Sequence, residues 1–186
     1  MAKIVFLDRD GVINKYPGDR NYVTSLKNFK ILKGSLEAIA RLYKAGYEIF
    51  VISNQAGVAK RLYTKKTLDE MTDHLLKEVC AHGGKIKKVY YCLHTEDMKC
   101  ECRKPKDGML KKAVKGKKID LKSIYFIGDS MRDVKAGKAF GCKTVLVLTG
   151  RESLKNIKNW DAQPDFVAKN LFFAATNILK DKYDRA

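Results

Sequence analysis

Aspartates at two distant points of the sequence have the spacing and surroundings of a reaction centre. Asp8 and Asp10 directly follow an apolar run, and Asp129 follows another apolar run that ends at Gly128. Two carboxylates two residues apart, joined by a third from a distant strand, suit a hard cation such as Mg²⁺, which prefers oxygen ligands. A single aspartate at such a position is more typical of a helix N-cap or a turn. The combination therefore favours a magnesium site.

A polar pair, Ser53 and Asn54, follows a third apolar run. The carboxyl ends of parallel strands lie at one edge of a sheet, and ligands bind at that edge. If the three runs are parallel strands, Ser53 and Asn54 meet the aspartates in one pocket although they are far apart in sequence.

The other group with chemistry is Cys92-x-His94-x5-Cys100-x-Cys102. Three thiols and one imidazole within eleven residues match the ligands of a tetrahedral Zn²⁺ site. Because protein fills all four positions, the predicted metal is structural and orders the loop at 92–102, which has little core of its own. Reduced thiols without a metal are the alternative. Both Cys80 and Cys142 lie in apolar surroundings and are expected in the core.

Apolar runs alternate with segments of helical period, which is the pattern of a parallel sheet covered by helices. No repeat or linker interrupts it, so residues 1–186 are expected to form one domain. Strands are predicted at 4–7, 47–52, 86–91, 124–127, 144–148 and 166–168, and helices at 35–45, 65–82, 107–115, 131–140 and 170–181.

Charge and composition limit the function classes. The chain has 186 residues, 45% of them hydrophobic, with 38 Lys and Arg against 21 Asp and Glu and a net charge of +17. This excess is interpreted first as a lysine-rich solvated surface and second as an attraction for an anionic substrate. Nucleic-acid binding is less favoured, because the lysines are scattered and not interleaved with aromatic residues. The apolar start is too short for a signal peptide or a membrane span, so we expect a cytoplasmic protein.

Four segments resemble the four motifs of the haloacid dehalogenase superfamily. They are Asp8 to Asn14, Ile52 to Gln55, Arg103-Lys104-Pro105, and Gly128 to Asp133. The second aspartate of the first segment is similar to the phosphatases of that superfamily. The resemblance covers residues 3–150 and implies a Rossmann-like, three-layer α/β fold around a parallel sheet. The segments between the motifs are filled by predicted elements, which leaves no room for a separate cap domain.

The resemblance also implies roles for individual residues. Asp8 would be the nucleophile that forms an aspartyl-phosphate, and Asp10 would be the general acid and base. Mg²⁺ would be held by Asp8, the backbone carbonyl of Asp10, and Asp129. Asp133 would hold a metal-bound water or be a solvated carboxylate in the first turn of a helix. Contacts to the substrate and its phosphoryl group are expected from Arg9, Ser53, Asn54, Arg103 and Lys104.

The Cys/His loop runs directly into Arg103-Lys104-Pro105, which is similar to two phosphatase families. Asn21-Tyr22-Val23 and Tyr90-Tyr91-Cys92 resemble the D-glycero-D-manno-heptose 1,7-bisphosphate 7-phosphatase family of surface-glycan and lipopolysaccharide biosynthesis. The short spacer from His94 to Cys100 resembles the histidinol-phosphate phosphatase family. The heptose family is favoured, which implies a monomer acting on a small phosphorylated sugar. A nucleic-acid 3′-phosphatase or nucleic-acid-binding module is a further alternative. The 3′-phosphatase would not ordinarily carry the Cys/His loop, and a non-catalytic binding module would be expected to have lost Asp8 or Asp10, both of which are present.

Overall fold

Six parallel strands form one sheet in the computed structural model, which describes residues 1–180. Their order across the sheet is β3-β2-β1-β4-β5-β6. The strands are β1 Ala2–Leu7, β2 Tyr47–Asn54, β3 Lys88–Cys92, β4 Ile119–Gly128, β5 Lys143–Val147 and β6 Phe166–Ala168. The α-helices are α1 Ser35–Lys44, α2 Lys65–Ala81, α3 Gly108–Val114, α4 Met131–Phe140 and α5 Leu171–Lys180.

Both faces of the sheet are covered, because successive side chains of a strand point to opposite faces. Val5 and Leu7 of β1 belong to a core shared with α1, α2 and α5. Ile4 and Phe6, which alternate with them, belong to a second core shared with α3 and α4. Near-continuous apolar runs are typical of parallel strands buried in this way. The predicted three-layer α/β fold is confirmed.

The chain changes direction across the sheet beside its first strand. After β1 it adds β2 and β3 on one side, then crosses back to add β4, β5 and β6 on the other. Such a switch point leaves a crevice beyond the carboxyl ends of the strands. Asp8 follows β1 and Asp129 follows β4, so the two aspartates stand at this crevice.

Several details differ from the sequence predictions. Cys80 was expected in the core but is exposed, whereas Cys142 is buried. The buried stripe of α2 includes Val79, and the next residue is turned by about 100° around the helix axis. Two 3₁₀ helices, Leu26–Asn28 and Leu154–Asn159, were not predicted. Residue 181, the predicted end of the last helix, lies outside the described residues. Within residues 1–180, no helix combines the length and apolar character needed to cross a bilayer.

Candidate active site

Three carboxylates converge at the switch point. Oxygen atoms of Asp8, Asp129 and Asp133 lie within 4.8 Å of one another, and all three residues are buried. Burial raises the pKa of Asp8 to about 6, with a further rise from Asp133 and an opposing effect of Lys104. Burial, followed by the charges of Asp133 and Asp8, raises the pKa of Asp129 well above its usual range. Crowded acidic oxygens with raised pKa values are the donor set that a divalent cation fits.

The backbone around Asp129 keeps its carboxylate in place. A β-carbon at Gly150 would lie 1.9 Å from Asp129 Oδ2, and one at Gly11 would lie 2.3 Å from it. Glycine backbone therefore packs directly against this carboxylate from two sides. The Arg151 N–H donates to the same oxygen at 2.8 Å. The oxygen ligands of a cation would thus be fixed before it binds.

Lys104 supplies the positive charge of the cluster. Its Nζ lies 2.8 Å from Asp8 Oδ2 and 2.6 Å from Asp133 Oδ1, and it donates to the Ile52 carbonyl at 2.9 Å. The side chain is only 2% exposed. Burial disfavours its charge, but Asp133 and Asp8 outweigh this effect and raise the pKa of Lys104. The ammonium is therefore a fixed charge in contact with the predicted nucleophile.

Asp133 is neither solvated nor at the surface. One of its oxygens accepts from the Ser130 hydroxyl at 2.7 Å and the Ser130 N–H at 3.1 Å, while the other meets Lys104. A β-carbon at Gly128 would lie 2.1 Å from that of Asp133. Glycine before Asp129 is therefore required for Asp133 to pack beneath the cluster, and the alternative of a solvated first-turn carboxylate does not hold.

Ser53 and Asn54, at the end of β2, lie in the same cavity. The hydroxyl of Ser53 forms a hydrogen bond that lowers the pKa of Asp8, against the larger effect of burial. The Asn54 side chain pairs with the backbone of Lys104: its Nδ2 donates to the carbonyl at 3.0 Å, and its Oδ1 accepts from the N–H at 3.1 Å. These two hydrogen bonds are named the Asn54 clasp. They attach the Lys104 backbone, and with it the loop around this residue, to the end of β2.

Arg9 does not reach the cavity, contrary to the prediction that it contacts the substrate. Its side chain is 0% exposed and its guanidinium donates to both oxygens of Asp10, at 2.9 to 3.1 Å. The guanidinium carbon also lies 5.5 Å from the ring centre of Phe29 and 5.8 Å from that of Tyr91. Burial disfavours its charge, yet Asp10 raises the pKa of Arg9. Arg9 is thus a buried support for Asp10.

Three more residues support Asp10, two of them directly and one through another side chain. None of them was predicted to have a role. Asn14 donates to Asp10 Oδ1 at 2.8 Å, and Gln55 Nε2 donates to Oδ2 at 2.8 Å. The Tyr63 hydroxyl donates to Gln55 Oε1 at 2.6 Å. Asn14 and Gln55 stand inside the segments that carried the resemblance, so their positions were a usable signal. Tyr63 lies in a loop without a periodic pattern, and nothing in the sequence marked it.

A cavity of about 460 Å³ opens above the carboxylates. Asp8, Asp10, Ser53, Asn54, Lys104 and Asp129 lie in its wall, together with residues 16–22 of the loop after β1. Asp19 and Glu96 are the acidic residues among the other lining groups. The cationic side chains are more numerous: Arg20, Lys60, Arg103, Arg132 and Arg151. Such a cavity favours an anion larger than a single phosphate.

The predicted metal ligands of the loop at 92–102 also come together. Cys92 Sγ lies 3.1 Å from Cys102 Sγ and 3.6 Å from Cys100 Sγ, and His94 Nδ1 lies 3.3 Å from Cys102 Sγ. Tetrahedral ligands about 2.3 Å from a Zn²⁺ ion stand about 3.8 Å apart, so this cluster is compact enough to share one ion. Arg103 follows it and donates to the His94 carbonyl at 3.1 Å.

Comparisons with known proteins agree with the geometry. The HAD-hydrolase-like family matches residues 101–173. The D-glycero-beta-D-manno-heptose-1,7-bisphosphate 7-phosphatase of Pseudomonas putida is 42% identical over 149 residues, which cover 80% of this chain and 84% of that protein. The D-glycero-alpha-D-manno-heptose-1,7-bisphosphate 7-phosphatase of Campylobacter jejuni is 41% identical over 136 residues, 73% of this chain and 76% of that protein.

A solved structure is similar over almost the whole chain. It is the crystal structure of D,D-heptose 1,7-bisphosphate phosphatase from B. bronchiseptica, complexed with magnesium and phosphate. Its TM-score is 0.89 at 33% identity, covering 96% of this chain and 99% of that one. Fold and site thus define a phosphatase of the haloacid dehalogenase class. Within that class, the chain belongs to the D-glycero-D-manno-heptose-1,7-bisphosphate 7-phosphatase family.

Proposed function

We propose that the chain hydrolyses the 7-phosphate of D-glycero-D-manno-heptose 1,7-bisphosphate through an aspartyl-phosphate on Asp8. The main support is the ion pair of Lys104 with Asp8, 2.8 Å long, at the base of a cavity with a cationic rim. A nucleophilic carboxylate needs a fixed cation beside it when it approaches an anionic phosphoryl group. The names of the relatives supply the sugar, and the rim supplies charges for its second phosphate.

In the first half-reaction, a carboxylate oxygen of Asp8 forms a bond to phosphorus while the bond from phosphorus to the sugar oxygen breaks. The sugar oxygen takes a proton from Asp10 and leaves as an alcohol. In the second half-reaction, Asp10 takes a proton from water, and the resulting hydroxide attacks phosphorus. The bond from phosphorus to the Asp8 oxygen breaks, inorganic phosphate leaves and the Asp8 carboxylate is restored. Ser53 and the backbone N–H of Asn54 hold the equatorial oxygens of the phosphoryl group.

Asp8, Asp129 and the backbone carbonyl of Asp10 would hold Mg²⁺, and Asp133 stands behind them. The crowded oxygens of the three carboxylates and the raised pKa values of Asp8 and Asp129 fit a divalent cation. A bound Mg²⁺ supplies charge that screens the repulsion between the carboxylates and the phosphoryl oxygens. Lys104, held by Asp133 and the Ile52 carbonyl, adds to this screening at Asp8.

We assign Zn²⁺ as the structural ion of the Cys/His loop, held by Cys92, His94, Cys100 and Cys102. Two features support zinc: the sulfur-rich ligand set and the absence of a position for a substrate or water among four protein ligands. The loop leads directly to Arg103, which lines the cavity. The zinc would therefore fix the backbone of a residue that grips the second phosphate of the substrate.

The experiment is a comparison of kcat/KM for heptose 1,7-bisphosphate as both anomers, histidinol phosphate and a 3′-phosphorylated oligonucleotide. Histidinol phosphate has a cationic amine, which the rim arginines repel, and only one phosphate. We expect at least about a hundredfold preference for the heptose, as two or more charge-assisted hydrogen bonds provide. A preference for histidinol phosphate or the oligonucleotide would contradict the sugar assignment. No hydrolysis of any of them with Mg²⁺ present would contradict the proposed activity.

A further inference from the structure

The carboxylate of Asp10 is held on both of its oxygens, and the two sets of donors differ. Oδ1 accepts from Arg9 Nε at 3.1 Å, Arg9 Nη2 at 2.9 Å and Asn14 Nδ2 at 2.8 Å. Oδ2 accepts from Gln55 Nε2 at 2.8 Å and more weakly from Arg9 Nη2 at 3.0 Å. A carboxylic acid carries its proton on one oxygen. Oδ1 has three N–H contacts, whereas Oδ2 has two, one of them from the Arg9 Nη2 that Oδ1 shares, so Oδ2 is the less crowded oxygen and the one to which we assign the proton.

The amide of Gln55 can have only one orientation. Its Oε1 lies 3.1 Å from Arg9 Nη2, and a guanidinium has donors but no acceptor. The carbonyl oxygen must therefore face Arg9, which turns the amide nitrogen toward Asp10 Oδ2 and the Ser53 hydroxyl, 3.2 Å away. Tyr63 donates to the same Oε1 at 2.6 Å, and burial raises the pKa of Tyr63, so its hydroxyl stays a donor.

Neither Gln55 nor Tyr63 can turn to another partner. Gln55 is 1% exposed and Tyr63 is 6% exposed. A β-carbon at Gly57 would lie 2.2 Å from the Tyr63 ring, so the absence of a side chain there lets the ring pack onto the loop backbone. The pair therefore forms a rigid support that begins in the loop before α2 and ends at Asp10 Oδ2.

We infer that Gln55, held by Tyr63, is the positioning residue that aims Asp10 Oδ2 at the leaving oxygen of the substrate. This rests on the proposed role of Asp10 as general acid. Arg9 and Asn14 hold Oδ1, and the Gln55 amide makes the shorter of the two contacts to Oδ2, so it sets the remaining rotation of the carboxylate about its Cβ–Cγ bond. Without the amide, Asp10 stays in the site but its proton is misdirected. Such a defect slows only the step in which the leaving group needs a proton.

The test compares two leaving groups. Heptose 1,7-bisphosphate releases an alcohol that needs a proton, whereas p-nitrophenyl phosphate releases a stable anion that needs little help. The quantity measured is kcat/KM, which reports the steps up to formation of the aspartyl-phosphate. For Gln55→Leu we expect about a thirtyfold loss on the heptose and less than about threefold on p-nitrophenyl phosphate. For Tyr63→Phe we expect about a fivefold loss on the heptose, in line with one hydrogen bond to the support.

Tyr91→Phe is the matched control. Its hydroxyl lies 2.8 Å from that of Thr72 and makes no bond to Gln55, while its ring remains beside Arg9. Asp10→Asn is the reference for a lost acid and should show the same selectivity, only larger. Thermal unfolding of each variant identifies any that is misfolded. If Gln55→Leu does not fold, Tyr63→Phe decides the question.

One result would overturn the inference: Asp10→Asn is selective for the heptose, but Gln55→Leu and Tyr63→Phe lose equally on both substrates or lose nothing. The proposed function would then be unaffected. If Asp10→Asn itself affected both substrates equally, its role as general acid would be wrong and the inference would fall with it. Selective losses in all three variants, with none in Tyr91→Phe, are the supporting result.

Discussion

Two regions of this molecule gather reactive side chains, and they do so by different means. At the sheet edge, Asp8 and Asp129 directly follow two neighbouring strands, and Lys104 is enclosed by Asp8, Asp133 and a strand carbonyl. The loop from Cys92 to Cys102 has no helix or strand beyond its first residue. Among its other side chains, Met98 is 53% exposed. Cys92 belongs to the second core, and Cys100 and Cys102 pack against it, so the ligand cluster is where this loop meets the interior.

The two regions differ in how much of the ligand arrangement is formed before the ion binds. Apolar burial on both faces of the sheet fixes the carboxylates at its edge, so folding alone places them. Outside its ligand residues the Cys/His loop buries little apolar surface, and we propose that its order depends on ligand bonds to a metal. At the sheet edge, the ligands are in place before an ion binds. In the Cys/His loop, the ion itself would order the ligands. Three experiments separate these cases.

The largest effect is expected from Asp8→Asn. The variant keeps the shape of the side chain but removes the attacking charge, so turnover with Mg²⁺ should fall at least about a thousandfold. It also removes one of three crowded carboxylates, so the melting temperature should stay within about 5 °C of the parent. Turnover and thermal unfolding are measured on the same preparation. Substantial remaining turnover would contradict covalent catalysis by Asp8, and an unfolded variant would break the view that the fold alone holds this site.

Smaller losses of kcat/KM are expected from variants of the neighbouring residues Arg103 and Lys104. Lys104 touches Asp8, the proposed nucleophile, and is 2% exposed, whereas Arg103 lines the cavity and donates to the His94 carbonyl. Lys104→Ala should lower kcat/KM by a similar factor, about a hundredfold, on heptose 1,7-bisphosphate and p-nitrophenyl phosphate.

Arg103→Ala is the matched partner of that variant, and it should reduce kcat/KM about tenfold more on the bisphosphate than on p-nitrophenyl phosphate. Steady-state kinetics on both substrates provide the comparison. An equal, mild loss on the two substrates would mean that Arg103 only packs against the loop.

The smallest effect on catalysis is expected from loss of the loop metal. Purified, chelator-free protein should contain about one Zn²⁺ per chain. Cys100→Ser should lower this content and speed amide hydrogen exchange within 92–102. Exchange in β1 and β4 should stay slow, and kcat/KM should fall only several-fold, because the sheet edge is held independently. Zinc-free wild-type protein, or equal loss of protection in β1, would contradict the distinction between the two regions.

Strand ends were the part of the site that the sequence predicted well. Asp8, Ser53 and Asp129 were assigned to one edge because apolar runs end directly before them or their neighbours. This inference needs only the alternation of strands and helices, since every parallel strand of such a sheet ends on the same side. The structure brings these residues into one cavity. The spacing of Cys92, His94, Cys100 and Cys102 was equally informative, because its information is local.

Direction of individual side chains was less predictable. Arg9 stands between two cavity residues, yet its guanidinium points into the protein beneath Asp10. Sequence position does not tell which side of a loop a residue faces when the loop is irregular. The Gln55 and Tyr63 contact depends on a turn whose course is set by packing onto Gly57. The prediction for Cys80 failed for a related reason. Cys80 is one position after the buried Val79 on α2, and that single step around the helix turns its side chain to solvent.

The Asn54 clasp makes the Cys/His loop an exchangeable part of the molecule. The clasp ties the backbone of Lys104 to the end of β2 at a point two residues after the last cysteine. We therefore expect changes of length or sequence between Cys92 and Cys102 to have little effect on the position of Lys104. Loops from other phosphatases could be grafted between the end of β3 and the Asn54 clasp. Such grafts would alter substrate choice without changing the residues around Asp8. Natural variation in spacer length would be tolerated on the same grounds, so this segment is where specificity can change at the lowest cost to catalysis.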